Sequence, residues 1–264
     1  MRAAYEKWQA ALEQGDLPLA EQYYHRMRLS PQEPRRVSYL MGQWYRNVHE
    51  LEAAAAALAR AVDIDRDDRL EILLELADTL MEGERWPEAE QCLAVVLAQA
   101  PAWPEAHYSY GRLLAQMGQP QAARRELCQV LAARIGDTET FITVAVDLSA
   151  LGFGEEAIDV YFQALIWAPD NGFLYSNIGV ELAELGDYQD ALCAHRRGLA
   201  LLPENADLWY NLACTYSLME QAEAGLHALA QAIALDEANK ACALGDDELA
   251  FLRAQPEFWP LLNK

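Results

Sequence analysis

Histidine and cysteine side chains are among those of this sequence that could hold a metal ion or attack a substrate. Each of the five histidines and five cysteines stands alone in the chain. They are His25, His49, His107, His195 and His227, with Cys92, Cys128, Cys193, Cys214 and Cys242. Zinc sites and thiol redox centres use closely spaced pairs such as C-x-x-C or H-E-x-x-H, and neither pattern occurs. The phosphate-binding glycine loops and the G-x-S-x-G nucleophile pattern are missing too, so we expect no metal, no cofactor and no enzyme activity.

The alternative interpretation is that these histidines and cysteines only pack within the fold. An odd number of widely spaced cysteines does not form a disulfide framework, so we expect small, buried, apolar cysteines in a reducing compartment. His107 and His195 are expected to be packed and neutral. The N-terminal residues lack the apolar segment of a leader, and no stretch approaches 18 uncharged apolar residues. Unless a leader has been removed, a cytoplasmic protein is expected.

The net charge of -21 is unevenly distributed. Residues 1–69 hold ten Lys and Arg against eleven Asp and Glu, whereas residues 70–264 hold ten against thirty. Such a field repels nucleic-acid phosphates and anionic lipids, so neither is expected as a partner. Solubility alone explains the charge equally well.

An internal period of 34 residues organises the chain. The residues Tyr175, Ile178, Gly179, Leu182 and Ala191 align with Trp209, Leu212, Ala213, Tyr216 and Gly225. Stepping back by the same interval gives further copies, with one inserted residue before Leu70. The period predicts seven units and a different C-terminal segment. The units are 1–34, 35–68, 70–103, 104–137, 138–171, 172–205 and 206–239, and the last segment is 240–264.

This pattern resembles the tetratricopeptide repeat, whose signature is W-x2-L-G-x2-Y, then A-x3-F, then P within 34 residues. Within each unit, apolar residues at helical spacing predict two amphipathic helices that meet at small residues, as at Gly179 and Ala191. Gly118, Gly152 and Gly186 mark the turn between the two helices of their units. The resemblance implies an all-α fold, a right-handed superhelical solenoid of stacked antiparallel helix hairpins, with first helices lining the concave side.

The segment after residue 239 breaks the period and is expected to cap the solenoid. Asp246 or Asp247 can cap a short helix. Five apolar residues would cover the open end of the last unit, namely Phe251, Phe258, Trp259, Leu261 and Leu262. A partner-binding tail is the alternative.

The resemblance also implies a peptide-binding groove, because peptide-binding members of the family hold ligands along the concave face. The sixth places of four units carry Ser109, Thr143, Asn177 and Asn211. Asparagine both donates and accepts hydrogen bonds, so Asn177 and Asn211 could hold successive backbone amides of an extended peptide. Hydrogen bonding within the solenoid is the alternative.

Other residues fall on the same predicted face. Its aromatic and basic members are Tyr108, Arg112, Phe173, Tyr210, Arg36, Tyr39 and Arg46. Cys214 should also lie there, as an inert residue. The lysine and arginine clamp of chaperone-binding relatives is missing, which argues against a co-chaperone.

We therefore expect a scaffold or adaptor that binds a peptide or helical segment of another protein. Two alternatives remain open. One is a self-assembling solenoid, and the other is the recruitment domain of a larger enzyme complex.

Overall fold

The computed structural model describes residues 2–28, 37–64 and 68–262, and the regular structure of these residues is helical throughout. The prediction of an all-α fold of packed helix hairpins is therefore confirmed. The helices form two compact units, residues 1–133 and 134–264. No described helix combines the length and the apolar composition that crossing a membrane requires.

The N-terminal unit contains four helix pairs. Its helices are α1 (Arg2–Glu13), α2 (Leu17–Arg28), α3 (Val37–Asn47), α4 (Leu51–Ile64), α5 (Arg69–Glu82), α6 (Trp86–Gln99), α7 (Pro104–Gln116) and α8 (Pro120–Ala133). Each odd-numbered helix packs on the helix that follows it, and α5 also contacts α7. Small residues permit this close approach, since a Cβ atom at Gly42 would lie 2.6 Å from the Leu58 side chain. We call the first member of each pair the first helix.

The C-terminal unit contains three further pairs and a non-repeating end. Its helices are α9 (Thr138–Ala150), α10 (Gly154–Trp167), α11 (Gly172–Glu184), α12 (Tyr188–Leu201), α13 (Ala206–Leu218), α14 (Ala222–Leu235), α15 (Asn239–Gly245), α16 (Ala250–Arg253) and α17 (Phe258–Leu262), with a 3-10 turn at Asp247–Leu249. First helices α11 and α13 contact each other.

Left-handed backbone marks the turn inside every helix pair. Positive φ angles recur 34 residues apart, with a single step of 35 between His49 and Glu84. The turn residues are Gly15, His49, Glu84, Gly118, Gly152, Gly186 and Glu220. The longer step coincides with the inserted residue before Leu70. Glycine adopts this conformation freely, so the three other residues hold it at a cost in free energy.

The C-terminal end packs against the last helix pair, since α13 and α14 both contact α16 and α13 contacts the 3-10 turn. Leu249, Leu252 and Phe258 are completely buried, and Leu252 fills the space that a side chain at Gly225 would occupy. The Asp246 carboxylate caps the 3-10 turn by accepting a hydrogen bond from the Glu248 backbone. Of the five residues expected to cover this end, Trp259 stays 52% exposed. The division of the chain into seven units and a cap remains a prediction.

Candidate partner-binding surfaces

The first helices of the N-terminal unit carry a polar network, which we call the N-terminal surface. It consists of Tyr39, Gln43 and Arg46 on α3, Glu75, Asp78 and Glu82 on α5, and Tyr108, Ser109 and Arg112 on α7. Glu75 accepts hydrogen bonds from Tyr39 (3.0 Å) and Gln43 (2.9 Å). The network thus joins successive first helices through side chains.

Arginine residues neutralise part of this acidic helix. Arg46 donates through Nε to Glu82 at 3.0 Å, and both Arg46 and Arg112 act electrostatically on Asp78. Burial nevertheless raises the pKa of Asp78, although a hydrogen bond from Ser109 (2.8 Å) opposes that shift. The N-terminal surface therefore contains side chains of both positive and negative charge.

The predicted residues of this unit differ in exposure. Ser109 is 5% exposed, and its hydroxyl donates a hydrogen bond to the Asp78 carboxylate. Tyr39 and Tyr108 are half-buried, whereas Arg112 is exposed. The Arg112 guanidinium carbon lies 6.0 Å from the centre of the Tyr108 ring. Arg36 lies outside the described residues. The acidic residues of α5 were missed, although Glu75, Asp78 and Glu82 share one helix face by spacing.

The first helices of the C-terminal unit present a more apolar face, the C-terminal surface. It consists of Thr143 and Val146 on α9, Phe173 and Asn177 on α11, and Tyr210 and Asn211 on α13. Phe173 is 54% exposed and Val146 is 48% exposed. The exposed Thr143 donates its hydroxyl hydrogen to the Glu139 carbonyl of its own helix.

Asn177 and Asn211 are half-buried, and each makes a hydrogen bond within the unit. Asn211 donates through Nδ2 to the Ser176 hydroxyl at 3.2 Å, which links α13 to α11. Asn177 is hydrogen-bonded to Tyr161, whose pKa burial raises to about 12. An amide group offers two donors and an acceptor, so one internal bond orients each side chain and leaves hydrogen-bonding capacity for a ligand.

Tyr210 is oriented towards the C-terminal end of the chain. Its hydroxyl donates to Asp246 at 2.8 Å, and burial is the main cause that raises its pKa. Cys214, one turn later on α13, is only 5% exposed and lies 3.8 Å from the same carboxylate. Burial raises the pKa of this thiol, and the neighbouring Asp246 adds to the shift, so the neutral thiol is favoured.

The expectation that the cysteines are buried is wrong for three of them. Cys128, Cys193 and Cys242 are exposed, and Cys92 is intermediate. All three exposed cysteines lie on helix faces turned to solvent, where periodicity rather than residue type decides burial.

The two histidines singled out from the sequence are both held within the helix pairs. His195 is 1% exposed, and burial lowers its pKa to about 4, so the ring is neutral as expected. Neither of its nitrogens has a hydrogen-bond partner. In contrast, His107 makes two hydrogen bonds, through Nδ1 with Glu126 at 2.7 Å and through Nε2 with the Pro101 carbonyl at 3.0 Å.

Comparison with known families explains the helix pairs. Two family models, both described as the tetratricopeptide repeat, match residues 48–109 and 206–239. The chain contains tetratricopeptide repeats. No curated protein matches it significantly.

Solved structures of other repeat proteins share this fold at low sequence identity. The C-terminal part of a TPR repeat-containing protein from Cytophaga hutchinsonii has a TM-score of 0.71 at 11% identity, covering 91% of this chain and 98% of that chain. A tetratricopeptide repeat protein from Parabacteroides merdae has a TM-score of 0.59 at 18% identity, covering 96% and 98%. YrrB, described as a TPR protein with an unusual peptide-binding site, has a TM-score of 0.52 at 21% identity, covering 70% and 94%.

Repeats of this type characteristically form protein-interaction scaffolds rather than enzymes. The fold of this tetratricopeptide-repeat protein supports the same general role.

Proposed function

We propose that this tetratricopeptide-repeat protein is a scaffold that binds a peptide or helical segment of another protein through its first helices. The observation that carries the proposal is the C-terminal surface, where exposed Phe173 lies one turn before Asn177 on α11. Asn211 is joined to the same helix through Ser176. An exposed aromatic ring beside oriented amides can bury an apolar side chain and hydrogen-bond the backbone that carries it.

The internal hydrogen bonds of the two asparagines are compatible with binding, because each amide group keeps further hydrogen-bonding capacity. A side chain that is already oriented loses less conformational entropy when a ligand binds. The residues on first helices α11 and α13 are one repeat apart, so they can contact successive parts of one extended segment. The peptide-binding site named for YrrB is a precedent for this use of the fold.

The N-terminal surface suggests a partner segment of mixed charge. Glu75, Asp78 and Glu82 present carboxylates between the basic residues Arg46 and Arg112. A segment that carries both signs would replace the existing pairs without leaving a charge unpaired. Neither nucleic acid nor membrane lipid belongs to the proposal, since the whole chain is strongly acidic.

Site-specific photo-cross-linking tests the proposal directly. A photoreactive amino acid is placed at Phe173, on a first helix, or at Phe162, which is similarly exposed but lies on second helix α10. The proposal predicts that one partner protein is captured from position 173 and not from position 162. Equal capture at both positions would contradict it. Cross-links between two copies of the chain would instead support self-association.

A further inference from the structure

Three potential metal ligands converge where α13 meets the C-terminal end. The Sγ atom of Cys214 and one carboxylate oxygen each of Asp246 and Glu248 all lie within 4.8 Å of one another. Cys214 belongs to the repeats, whereas the two acids flank the start of the 3-10 turn. Folding of the chain end onto α13 therefore creates this cluster from residues that are distant in sequence.

The cluster combines a buried sulfur with oxygens that face increasingly towards solvent. Cys214 is 5% exposed, Asp246 is half-buried and Glu248 is exposed. Asp246 is fixed in place, because it accepts hydrogen bonds from the Tyr210 hydroxyl at 2.8 Å and from the Glu248 backbone at 3.0 Å. Hydrogen bonds of this kind orient the ligands of metal sites.

The negative charge at this place has no cationic partner among the described residues. Arg253 is the nearby basic side chain, but its guanidinium donates to the backbone carbonyls of Ala243 and Asp246. Its nearest carboxylate is that of Asp247, at 3.9 Å. Two carboxylates thus converge on a buried thiol without a counter-ion, an arrangement that a bound cation would stabilise.

A second polar group close by is also unsatisfied. Ser217 lies three residues after Cys214 on α13, so the two side chains are neighbours on the helix surface. The Ser217 hydroxyl is buried, with 1% of the residue exposed, and it has no hydrogen-bond partner. This unpartnered hydroxyl lies on the same helix as Cys214 and does not depend on the acidic residues.

We propose that Cys214, Asp246 and Glu248 bind a divalent transition-metal ion, for which Zn²⁺ fits best. One thiolate and two carboxylates suit zinc, which accepts sulfur and oxygen ligands in tetrahedral geometry with a water in the fourth position. Calcium and magnesium bind oxygen ligands and have no preference for sulfur. Sulfur and oxygen ligands of one zinc ion lie about 3.5 Å apart for bonds of about 2.3 and 2.0 Å, so small side-chain movements close the site.

The bound ion would link the repeats to the C-terminal end of the chain. One ligand comes from α13 and two come from the segment that covers it, so binding favours the docked conformation of the end. This role is independent of the partner-binding function proposed above. Spacing along the chain does not reveal the cluster, because Cys214 and Asp246 are 32 residues apart.

Cobalt titration of the full chain tests the site, with Co²⁺ as a spectroscopic substitute for Zn²⁺. We expect one equivalent of Co²⁺ to give a thiolate-to-cobalt absorption band and the visible spectrum of a tetrahedral ion. The band should disappear in Cys214→Ser and remain in Cys193→Ser, a change at an exposed cysteine on α12. Absence of the band, or its persistence in Cys214→Ser, would overturn the proposal.

Glu248 is exposed, so its substitution provides a second variant that leaves the buried core unchanged. Glu248→Gln should weaken Co²⁺ binding by at least about tenfold, and Zn²⁺ should raise the thermal unfolding midpoint of the unmodified chain more than that of the variant. Exposed Glu257→Gln serves as the control. Equal binding by Glu248→Gln and the control would remove Glu248 from the site and contradict the three-ligand arrangement.

Discussion

The imidazole ring of His195 lies directly against the backbone of Gly179, where a Cβ atom would come within 2.5 Å of its Cε1 atom. The pair joins first helix α11 to second helix α12. Sister repeats carry leucine or tyrosine at the place of His195, as at Leu127 and Tyr161. The glycine makes room for the ring, but the surroundings offer no partner for either ring nitrogen.

Replacing His195 with leucine should stabilise the protein. The change removes two buried nitrogens without hydrogen bonds, and leaving such a group unsatisfied costs about 1–3 kcal/mol. We expect the free energy of unfolding at pH 7 to rise by about that amount in chemical denaturation. Gly179→Ala, which pushes a methyl group into the ring, should lower it by about 1–3 kcal/mol. A destabilised His195→Leu variant would show that the ring makes contacts that leucine cannot replace.

The same histidine should make stability depend on pH. Its pKa is lowered from 6.5 to about 4 in the folded chain, because burial disfavours the charged ring. The unfolded chain therefore takes up this proton first, so the contribution is present above pH 6.5 and is lost as the pH falls towards 4. The loss amounts to about 3 kcal/mol.

Denaturation of the unmodified chain and His195→Leu across pH 7 to 4 measures this effect. The difference in unfolding free energy between the two should grow as the pH falls. His25→Leu, at an exposed histidine on α2, serves as the control variant. Parallel profiles for the unmodified chain and His195→Leu would contradict the assignment.

The recurring left-handed turn predicts a stabilising glycine. Glu220 has a φ of 57° at the place where Gly186 has 87° in the preceding repeat. Glu220→Gly should therefore raise the free energy of unfolding, because relief of a left-handed conformation contributes about 1–2 kcal/mol. Gly186→Ala should lower it by a similar amount. Thermal melting of both variants checks the prediction. A lower unfolding midpoint for Glu220→Gly or a higher one for Gly186→Ala would contradict it.

Periodicity made most of the fold predictable, because each helix pair repeats the same spacing of apolar and small residues. The positions of the turns followed from the same period, but the left-handed backbone at Glu84 and Glu220 did not, since the surrounding helices impose it against residue preference. The hydrogen-bond partners of Asn177 and Asn211 also could not be predicted from the sequence. Ser176 and Tyr161 are ordinary repeat residues, and only packing of neighbouring helices brings their hydroxyl groups to the amides.

Disrupting the C-terminal end should cause association. Leu252 is fully buried against Gly225 of α14, so Leu252→Asp or removal of residues 246–264 would expose apolar surface of the last helix pair. Light scattering should show larger particles for both changes. Leu244→Asp is the control, since Leu244 is 51% exposed on α15. Monomeric, equally stable forms of both altered chains would favour a tail that binds a partner instead.

The central claim, that first-helix asparagines hold a partner, is tested most directly by titrating the partner cross-linked at position 173 against Asn177→Ala/Asn211→Ala. Each hydrogen bond contributes about 0.5–1.5 kcal/mol, and 1.4 kcal/mol corresponds to tenfold in affinity. Ser176→Ala is the matched control, because it removes the internal bond of Asn211 and keeps the amide. We predict at least about tenfold weaker binding by the folded double variant and a smaller change for Ser176→Ala. Unaltered affinity of the double variant would contradict the claim.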